Sequence, residues 1–277
     1  MAPDQEPGDS ITQLPPNVWA DAHSHLSDPR QPDVDGAIRE AQALGIQVFL
    51  QGGVGPEDWE RQKALHARVP GVLPVFGLHP YWVADHSEED CESALDLLAR
   101  ELGAAYALGE IGLDFRPHIM KDSAPRQYSC FETQLELARV ADKPVVLHIV
   151  RAFEEALRVL DLFGTGTRGL VHAFTGSAKQ AEAYLERGFL LSVGGPVCRH
   201  DATKLHQAIQ QIPLESLLIE TDSPDQPPPG LEPEHNRPST VLQVAGEVAR
   251  IKKTTAAQVL DKSYQNLRKL LNPDPNL

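Results

Sequence analysis

The sequence has few cysteines and no long apolar run, and each absence narrows the kinds of protein it can encode. Three cysteines occur among 277 residues, and their spacing is not that of a metal site. An odd number without such spacing indicates reduced thiols of an intracellular protein. No stretch approaches the ~20 apolar residues that a membrane span needs. We therefore expect a cytoplasmic protein without a membrane segment.

Positive charge is also scarce. The chain carries 25 Lys and Arg residues against 39 Asp and Glu, which gives a net charge of −14. Proteins that hold nucleic acid tightly through their surface need clustered basic residues, so this composition argues against that mode of binding. It leaves a nuclease open, because bound divalent cations reverse the charge inside a site.

The N-terminal region lacks the apolar core segment of a signal peptide. Residues 1–16 contain Pro, Asp and Gln and are expected to form a flexible leader. We assign residues 17–273 to one domain, since an α/β barrel typically needs ~250 residues. A Gly-x-Gly-x-x-Gly turn is missing after the first apolar run, which argues against a dinucleotide-binding fold.

Short apolar runs alternate with segments of helical periodicity along the whole chain. Apolar strands without polar alternation are typical of a parallel sheet that is covered on both faces. Eight strands in this order favour a closed (β/α)8 TIM barrel, class α/β. The predicted strands are residues 18–22, 46–50, 72–76, 105–111, 144–148, 169–172, 189–193 and 216–221.

Candidate metal ligands stand at the ends of these strands. His23 and His25 are two residues apart, so on an extended segment their side chains point the same way. Such a pair alone is as often ordinary loop chemistry as a metal site. Further residues close other strands, and a barrel gathers the carboxyl ends of its strands around one axis. The additional candidates are Glu110, His148, His172 and Asp222.

Six ligands are too many for one zinc ion, which takes about four. Two divalent cations are the simpler account, and Zn, Mn or Mg suits this donor set. We expect Glu110 to bridge them, with His23, His25 and Asp222 on one metal and His148 and His172 on the other. Metals ~3.5–4 Å apart activate a water and clamp a phosphoryl group. Asp222 could orient that water or take its proton.

Two more polar residues share the strand ends. His79 closes the third strand, where it either contacts a phosphate or leaving group or is a structural loop histidine. Glu220 lies two residues before Asp222 and is expected to support one of the ligand histidines.

With these residues in place, the chain resembles the TatD family of metal-dependent deoxyribonucleases, which belong to the amidohydrolase-like barrels. The resemblance implies the metal assignments above. It also implies hydrolysis of phosphodiester bonds in DNA, often as a 3′→5′ exonuclease on single strands. The motifs that carry it are Asp21-Ala22-His23-Ser24-His25, Gly77-Leu78-His79-Pro80, Gly109-Glu110-Ile111-Gly112-Leu113-Asp114, Pro144-Val145-Val146-Leu147-His148, His172-Ala173-Phe174-Thr175-Gly176 and Glu220-Thr221-Asp222-Ser223-Pro224.

Two departures from the family pattern concern the substrate. The family usually has Arg two residues after His148, whereas here Val150 stands there and Arg151 follows. Arg151 is therefore expected to take over the phosphate contact. The family's Arg-Asn-Glu-Pro loop is replaced by a segment in which Asn236 and Arg237 are the expected substrate contacts.

Other functions remain open at this point. A metal-activated water also attacks carbonyl groups, so an amide or ester hydrolase, such as a D-aminoacyl-tRNA deacylase, is the alternative. A carboxylate bridge at Glu110, with no Lys at a strand end, favours the nuclease family. A non-catalytic scaffold would leave six ligands without a task. We expect a monomer that binds single-stranded DNA or DNA ends weakly, chiefly through its metals, with basic contacts drawn from Arg151, Arg199, Lys204 and Arg237.

Overall fold

The computed structural model describes residues 18–272. The expected leader and both ends assigned to the domain lie outside the described residues. Within these residues the chain forms nine strand segments. They are β1 (Trp19–Ser24), β2 (Ile46–Gln51), β3 (Val72–Leu73), β4 (Val75–Phe76), β5 (Ala107–Asp114), β6 (Val145–Val150), β7 (Gly169–Val171), β8 (Phe189–Val193) and β9 (Leu217–Ile219).

Helices connect the strands on the outside. Several begin with capping boxes, such as the one at Ser87, where side chains satisfy the free backbone N–H groups of the first turn. Others begin with proline at the first turn, as at Pro56. The helices are α1 (Val34–Ala43), α2 (Pro56–Arg68), α3 (Pro80–Asp85), α4 (Glu88–Glu101), α5 (Pro117–Met120), α6 (Ala124–Val140), α7 (Phe153–Phe163), α8 (Ala178–Glu186), α9 (Thr203–Gln211), α10 (Val241–Lys252) and α11 (Ala256–Leu271).

The strands are parallel and follow the chain order around a barrel. β1, β2 and β3 pair in sequence, and β4 to β9 pair in sequence. After β9 the chain returns to β1, where the Asp222 N–H donates to the His23 carbonyl at 2.9 Å and the His25 N–H donates to the Ser223 carbonyl at 2.8 Å. These bonds close the ring, and the predicted (β/α)8 class is confirmed.

The third predicted strand is split. Pro74 separates β3, which pairs with β2, from β4, which pairs with β5. Proline has no N–H to donate to a ladder, so it marks the point where the strand changes partner. Together β3 and β4 fill one of eight strand positions. The sequence had predicted one uninterrupted strand here, and it had predicted no helix at α3 or α5.

Apolar residues fill the barrel and the space between strands and helices. Every residue of β5 is buried, as expected for a strand covered on both faces. The last helix, α11, packs at the amino ends of the strands. Its Asn266 side chain donates to the Leu217 carbonyl, and Asp261 accepts from the Trp19 indole. That end is therefore closed, while the carboxyl ends face an open cavity.

No helix within residues 18–272 combines the length and the apolar character that a membrane crossing requires.

Candidate metal centre

The six predicted ligands meet at the carboxyl end of the barrel. His23 belongs to β1, Glu110 to β5 and His148 to β6, while His25, His172 and Asp222 stand just after their strands. Each of the four histidines has a ring nitrogen within 3.5 Å of an oxygen of Glu110. The convergence follows from the barrel, because parallel strands bring their carboxyl ends to one rim.

One oxygen of Glu110 faces the N-terminal histidine pair. Glu110 Oε1 lies 3.5 Å from His23 Nε2 and 3.3 Å from His25 Nε2. Asp222 Oδ1 lies 3.7 Å and 3.4 Å from the same two nitrogens. Two imidazoles and two carboxylates thus surround one point.

The other oxygen of Glu110 faces a different set of histidines. Glu110 Oε2 lies 2.7 Å from His172 Nε2 and 3.4 Å from His148 Nδ1. His79 Nε2 is 3.8 Å from the same oxygen. Glu110 therefore stands between two groups of donors, one oxygen toward each.

Several buried polar atoms at this centre lack hydrogen-bond partners among the described residues. They include both ring nitrogens of His23 and both carboxylate oxygens of Glu110, on side chains that are almost fully inaccessible. Leaving such groups unpaired is costly, so a buried set that converges on one point fits cations. Three combinations have ligand atoms close enough to share an ion. They are His23, Glu110 and His172; His23, His25 and Asp222; and His79, Glu110 and His148.

Charge at the centre is strongly coupled. Burial opposes ionisation of His25, but its hydrogen bond to Asp222 and the Glu110 charge raise its pKa to about 10. His172 behaves similarly, with burial opposed by Glu110 and a pKa raised to about 9. Burial and the charge of His172 lower the pKa of His23 to about 4. Although burial opposes ionisation of Glu110, the surrounding histidines hold its pKa well below its usual value.

Asp114, which the sequence analysis assigned no role, fixes the tautomer of His148. The His148 Nε2–H donates to Asp114 Oδ2 at 3.1 Å, since an ionised carboxylate can only accept. His148 Nδ1 is then unprotonated and faces Glu110, with the Nε2 atoms of His79 and His172 at 3.2 Å and 3.0 Å. Such carboxylate–histidine pairs orient metal ligands. The sequence analysis missed this contact because it ended the strand at residue 111, whereas the strand continues to Asp114.

His79 also carries its proton on Nε2, but it turns that nitrogen toward the centre, whereas His148 turns its unprotonated Nδ1 there. Its Nδ1 accepts the backbone N–H of Tyr81 at 3.0 Å, at the start of α3. The neutral ring must then carry its proton on Nε2, the nitrogen that faces the centre. His79 is thus set up to donate a hydrogen bond and not to ligate, although it lies close enough to Glu110 and His148 for either.

Other side chains hold the carboxylates in place. Glu220 Oε1 accepts the Ala173 N–H at 2.6 Å and lies 3.8 Å from His172 Nδ1, and burial raises its pKa to about 7. This places Glu220 beside a histidine, where the sequence had predicted it. The Gln226 amide donates to Asp222 Oδ2 at 2.6 Å.

Backbone conformation at the rim is unusual. Arg151, Ala173 and Asp222 have φ values of 56°, 48° and 52°, in the left-handed region that non-glycine residues seldom adopt. Each follows or ends a strand that carries a candidate ligand. Such strain is tolerated where the surrounding structure fixes it, and it is frequent at functional sites.

A cavity of about 720 Å³ opens above the centre, and three basic residues, Arg30, Arg116 and Arg151, line it. The structure thus places Arg151 at the cavity. Arg116 pairs with Asp114 and lies 4.9 Å over the Tyr81 ring. Burial and the nearby Arg151 lower the pKa of Arg116. Arg116 and Tyr81 were missed because they follow short connections without a periodic pattern.

Two of the predicted substrate contacts do not reach the cavity. Asn236 is fully buried, and its amide donates to the carbonyls of Thr221 and Asp225, which fixes the loop after β9. Arg237 pairs with Glu40 at 3.2 Å, on the outside of the barrel. The structure therefore gives both residues other contacts.

A parallel barrel with clustered imidazoles and carboxylates at its carboxyl rim defines a metalloenzyme of the barrel hydrolase class. Comparison with known proteins agrees. Residues 20–272 match the family model described as TatD related DNase. A metal-dependent hydrolase of Escherichia coli, YjjV, is 30% identical over 92% of this chain and 98% of its own length.

The crystal structure of YjjV superposes with a TM-score of 0.80, covering 91% of this chain and 97% of the other. The 3′-5′ ssDNA/RNA exonuclease TatD of Salmonella typhimurium is 31% identical over 78% of this chain and 84% of its own. The chain belongs to the TatD family, and it is a metal-dependent hydrolase.

Proposed function

We propose that this enzyme hydrolyses phosphodiester bonds at the ends of single-stranded DNA in the 3′→5′ direction, with two divalent cations. The observation that carries the proposal is the position of Glu110, whose two carboxylate oxygens face two separate groups of donors. The name of the Salmonella relative supports the choice of substrate and polarity.

The donor groups suggest how the cations are held. His23, His25 and Asp222 would bind one and His148 and His172 the other, with Glu110 shared. These residues fit the role because their inward atoms converge and those of His23 and Glu110 are buried without hydrogen-bond partners. When bound, divalent cations supply Lewis acids that make water a nucleophile at neutral pH and neutralise phosphoryl charge. Zn, Mn and Mg are all compatible with this mixed set.

The remaining residues would position the reactants. Asp222 has one oxygen toward the histidines and one on Gln226, so it can orient the attacking water and accept its proton. The Nε2–H of His79 can donate to a phosphoryl or leaving oxygen. Arg116 and Arg151 would hold the phosphate charge at the mouth, where guanidinium groups make paired hydrogen bonds.

The acidic surface gives the proposal a further expectation. Few basic residues line the cavity and the net charge is −14, so binding without metal should be weak and indifferent to sequence. This chain supplies a complete set of candidate ligands, and we propose a monomer as the working unit.

The test is single-turnover cleavage of single-stranded DNA labelled at either end. Metal-free protein is compared with protein loaded with Mg, Mn or Zn, and with the Glu110→Ala variant. The control is Glu136→Ala, which removes an exposed carboxylate on α6. Metal-dependent loss of 3′ nucleotides that disappears only in Glu110→Ala is expected. A fully loaded enzyme that leaves DNA intact but cleaves D-aminoacyl-tRNA would replace the proposal with ester hydrolysis.

A further inference from the structure

We propose that a second pocket, beside the metal cavity, binds the base of the terminal nucleotide of the substrate. This inference rests on the proposed function. The pocket has a volume of about 430 Å³, within the ~300–1,000 Å³ of typical small-ligand sites. Its characteristic lining residues are Arg151, Phe153, Phe174, Gln180, Tyr184 and Lys204.

The base pocket and the metal cavity share a wall. Arg151, His172, Ala173 and Thr175 line both of them. His172 also lies 2.7 Å from the Glu110 oxygen at the centre of the metal cluster. A group attached to a phosphate at that cluster can therefore reach the pocket directly. In a strand cleaved from its end, the base of the terminal nucleotide is such a group.

Aromatic rings line the pocket. The Phe153 and Tyr184 rings meet edge to face, with centroids 5.5 Å apart, and Phe174 lies 5% exposed in the loop after β7. Nucleobases of any identity stack on aromatic side chains in proteins that bind single strands. Phe174 and Tyr184 are buried and Phe153 is half-buried, so Phe153 offers the accessible face on which a flat heterocycle would stack.

Charge in the pocket favours an uncharged occupant. Arg151 and Lys204 are balanced by Glu154 and Glu155. A second phosphate would be repelled by these carboxylates. In the metal cavity three arginines are matched by three carboxylates, and the proposed cations would add the positive charge that attracts phosphate. The electrostatics thus separate phosphate from base, one in each cavity.

The wall between the cavities is held rigidly. The Ala173 N–H donates to Glu220, and the Phe174 N–H donates to the Ser192 carbonyl at 2.9 Å. Gln180 and Ser177 cap α8 reciprocally. A pocket whose wall is fixed before binding spends little free energy on ordering, so a single base can contribute to affinity.

The experiment compares two matched variants on one helix. Phe153 and Phe163 are both half-buried at opposite ends of α7, but only Phe153 lines the pocket. Phe153→Leu removes a stacking face and keeps apolar volume, and Phe163→Leu is the control. Each is assayed on single-stranded DNA ending in a normal nucleotide, on the same strand ending in an abasic nucleotide, and on methyl p-nitrophenyl phosphate. Binding of deoxyadenosine is measured separately by calorimetry.

We expect the abasic end and Phe153→Leu each to weaken half-saturation by about tenfold, as stacking on one ring predicts. The Phe153→Leu variant acting on the abasic end should show no further weakening of half-saturation. Hydrolysis of methyl p-nitrophenyl phosphate should be unchanged. Equal half-saturation for normal and abasic ends would overturn the proposal. If no phosphodiester is cleaved, the proposed function fails. The pocket would still be established if deoxyadenosine binds and if Phe153→Leu weakens that binding while Phe163→Leu does not. Absence of that binding would refute the pocket as well.

Discussion

Replacing Asp114 by Asn should weaken metal binding without removing any ligand. Asp114 is fully buried and accepts the Nε2–H of His148 at 3.1 Å, which leaves Nδ1 facing Glu110. An Asn side chain can donate to Nε2, so it would also stabilise the tautomer with the proton on Nδ1. That tautomer cannot ligate through Nδ1.

The size of the effect follows from the hydrogen bond that is lost. A hydrogen bond to a charged group contributes about 1.5–3 kcal/mol. Both partners here are nearly inaccessible to water, so solvent does not screen the interaction. Loss of comparable partners of metal-bound histidines lowers metal affinity or activity roughly 10–100-fold. We expect the Kd of the metal associated with His148 to rise within that range.

Chelator competition measures the effect directly. Protein loaded with Zn or Mn is titrated with a chelator of known affinity, and each dissociation step is followed by metal analysis. Asp114→Asn should weaken one step and leave the other close to that of the unmodified protein.

Arg116→Gln is the matched control. It breaks the ion pair between Arg116 and Asp114 but keeps the Asp114 carboxylate that accepts from His148. If both variants lowered thermal stability equally and neither changed metal affinity, Asp114 would be an anchor for Arg116 alone. The tautomer argument would then be wrong.

Three further predictions use other parts of the molecule. His79→Ala should lower kcat about 10²–10⁴-fold, whereas His79→Gln keeps an N–H donor and should keep more activity. Metal content should be unchanged in both variants, and a loss of metal would show that His79 is a ligand. At pH 7.5, loading the metal-free protein with metal should release about two protons. His25 and His172, with pKa values raised to about 10 and about 9, must lose their protons to ligate. Calorimetry in buffers of different ionisation enthalpy counts the released protons, and binding heats independent of the buffer would contradict the prediction. Phe131→Ala in the buried core should lower the free energy of unfolding by about 3–5 kcal/mol in urea titrations, against a change below about 0.5 kcal/mol for the exposed Leu162→Ala.

The sequence could predict the barrel and the position of its candidate ligands because both depend on local pattern. Apolar runs ending in His, Glu or Asp mark strand ends, and the barrel converts those ends into one rim. The prediction that His23 and Glu110 lie together needed no knowledge of any contact. The assignment of these residues to two cations stays a prediction.

Contacts between distant side chains could not be read from the sequence. Nothing in the pattern joins Asp114 to His148, or His79 Nδ1 to the start of α3. The mouth of the cavity was equally hidden, since Arg116 and Tyr81 belong to connections too short to show periodicity. Asn236 and Arg237 show the converse case, in which a loop near the rim turns out to bond inward or to the outer helices.

The seam of the barrel has a consequence for its assembly. The two hydrogen bonds that join the first strand to the segment after the last involve His23, His25, Asp222 and Ser223, so ring closure and ligand placement use the same backbone. Joining residues about two hundred positions apart in the chain is entropically expensive. Cations bound by residues on both sides of the seam would hold the first strand and the segment after the last strand together. Backbone amides of His25 and Asp222 should then exchange hydrogen far more slowly once metal is bound, and the metal-free protein should open first along this line.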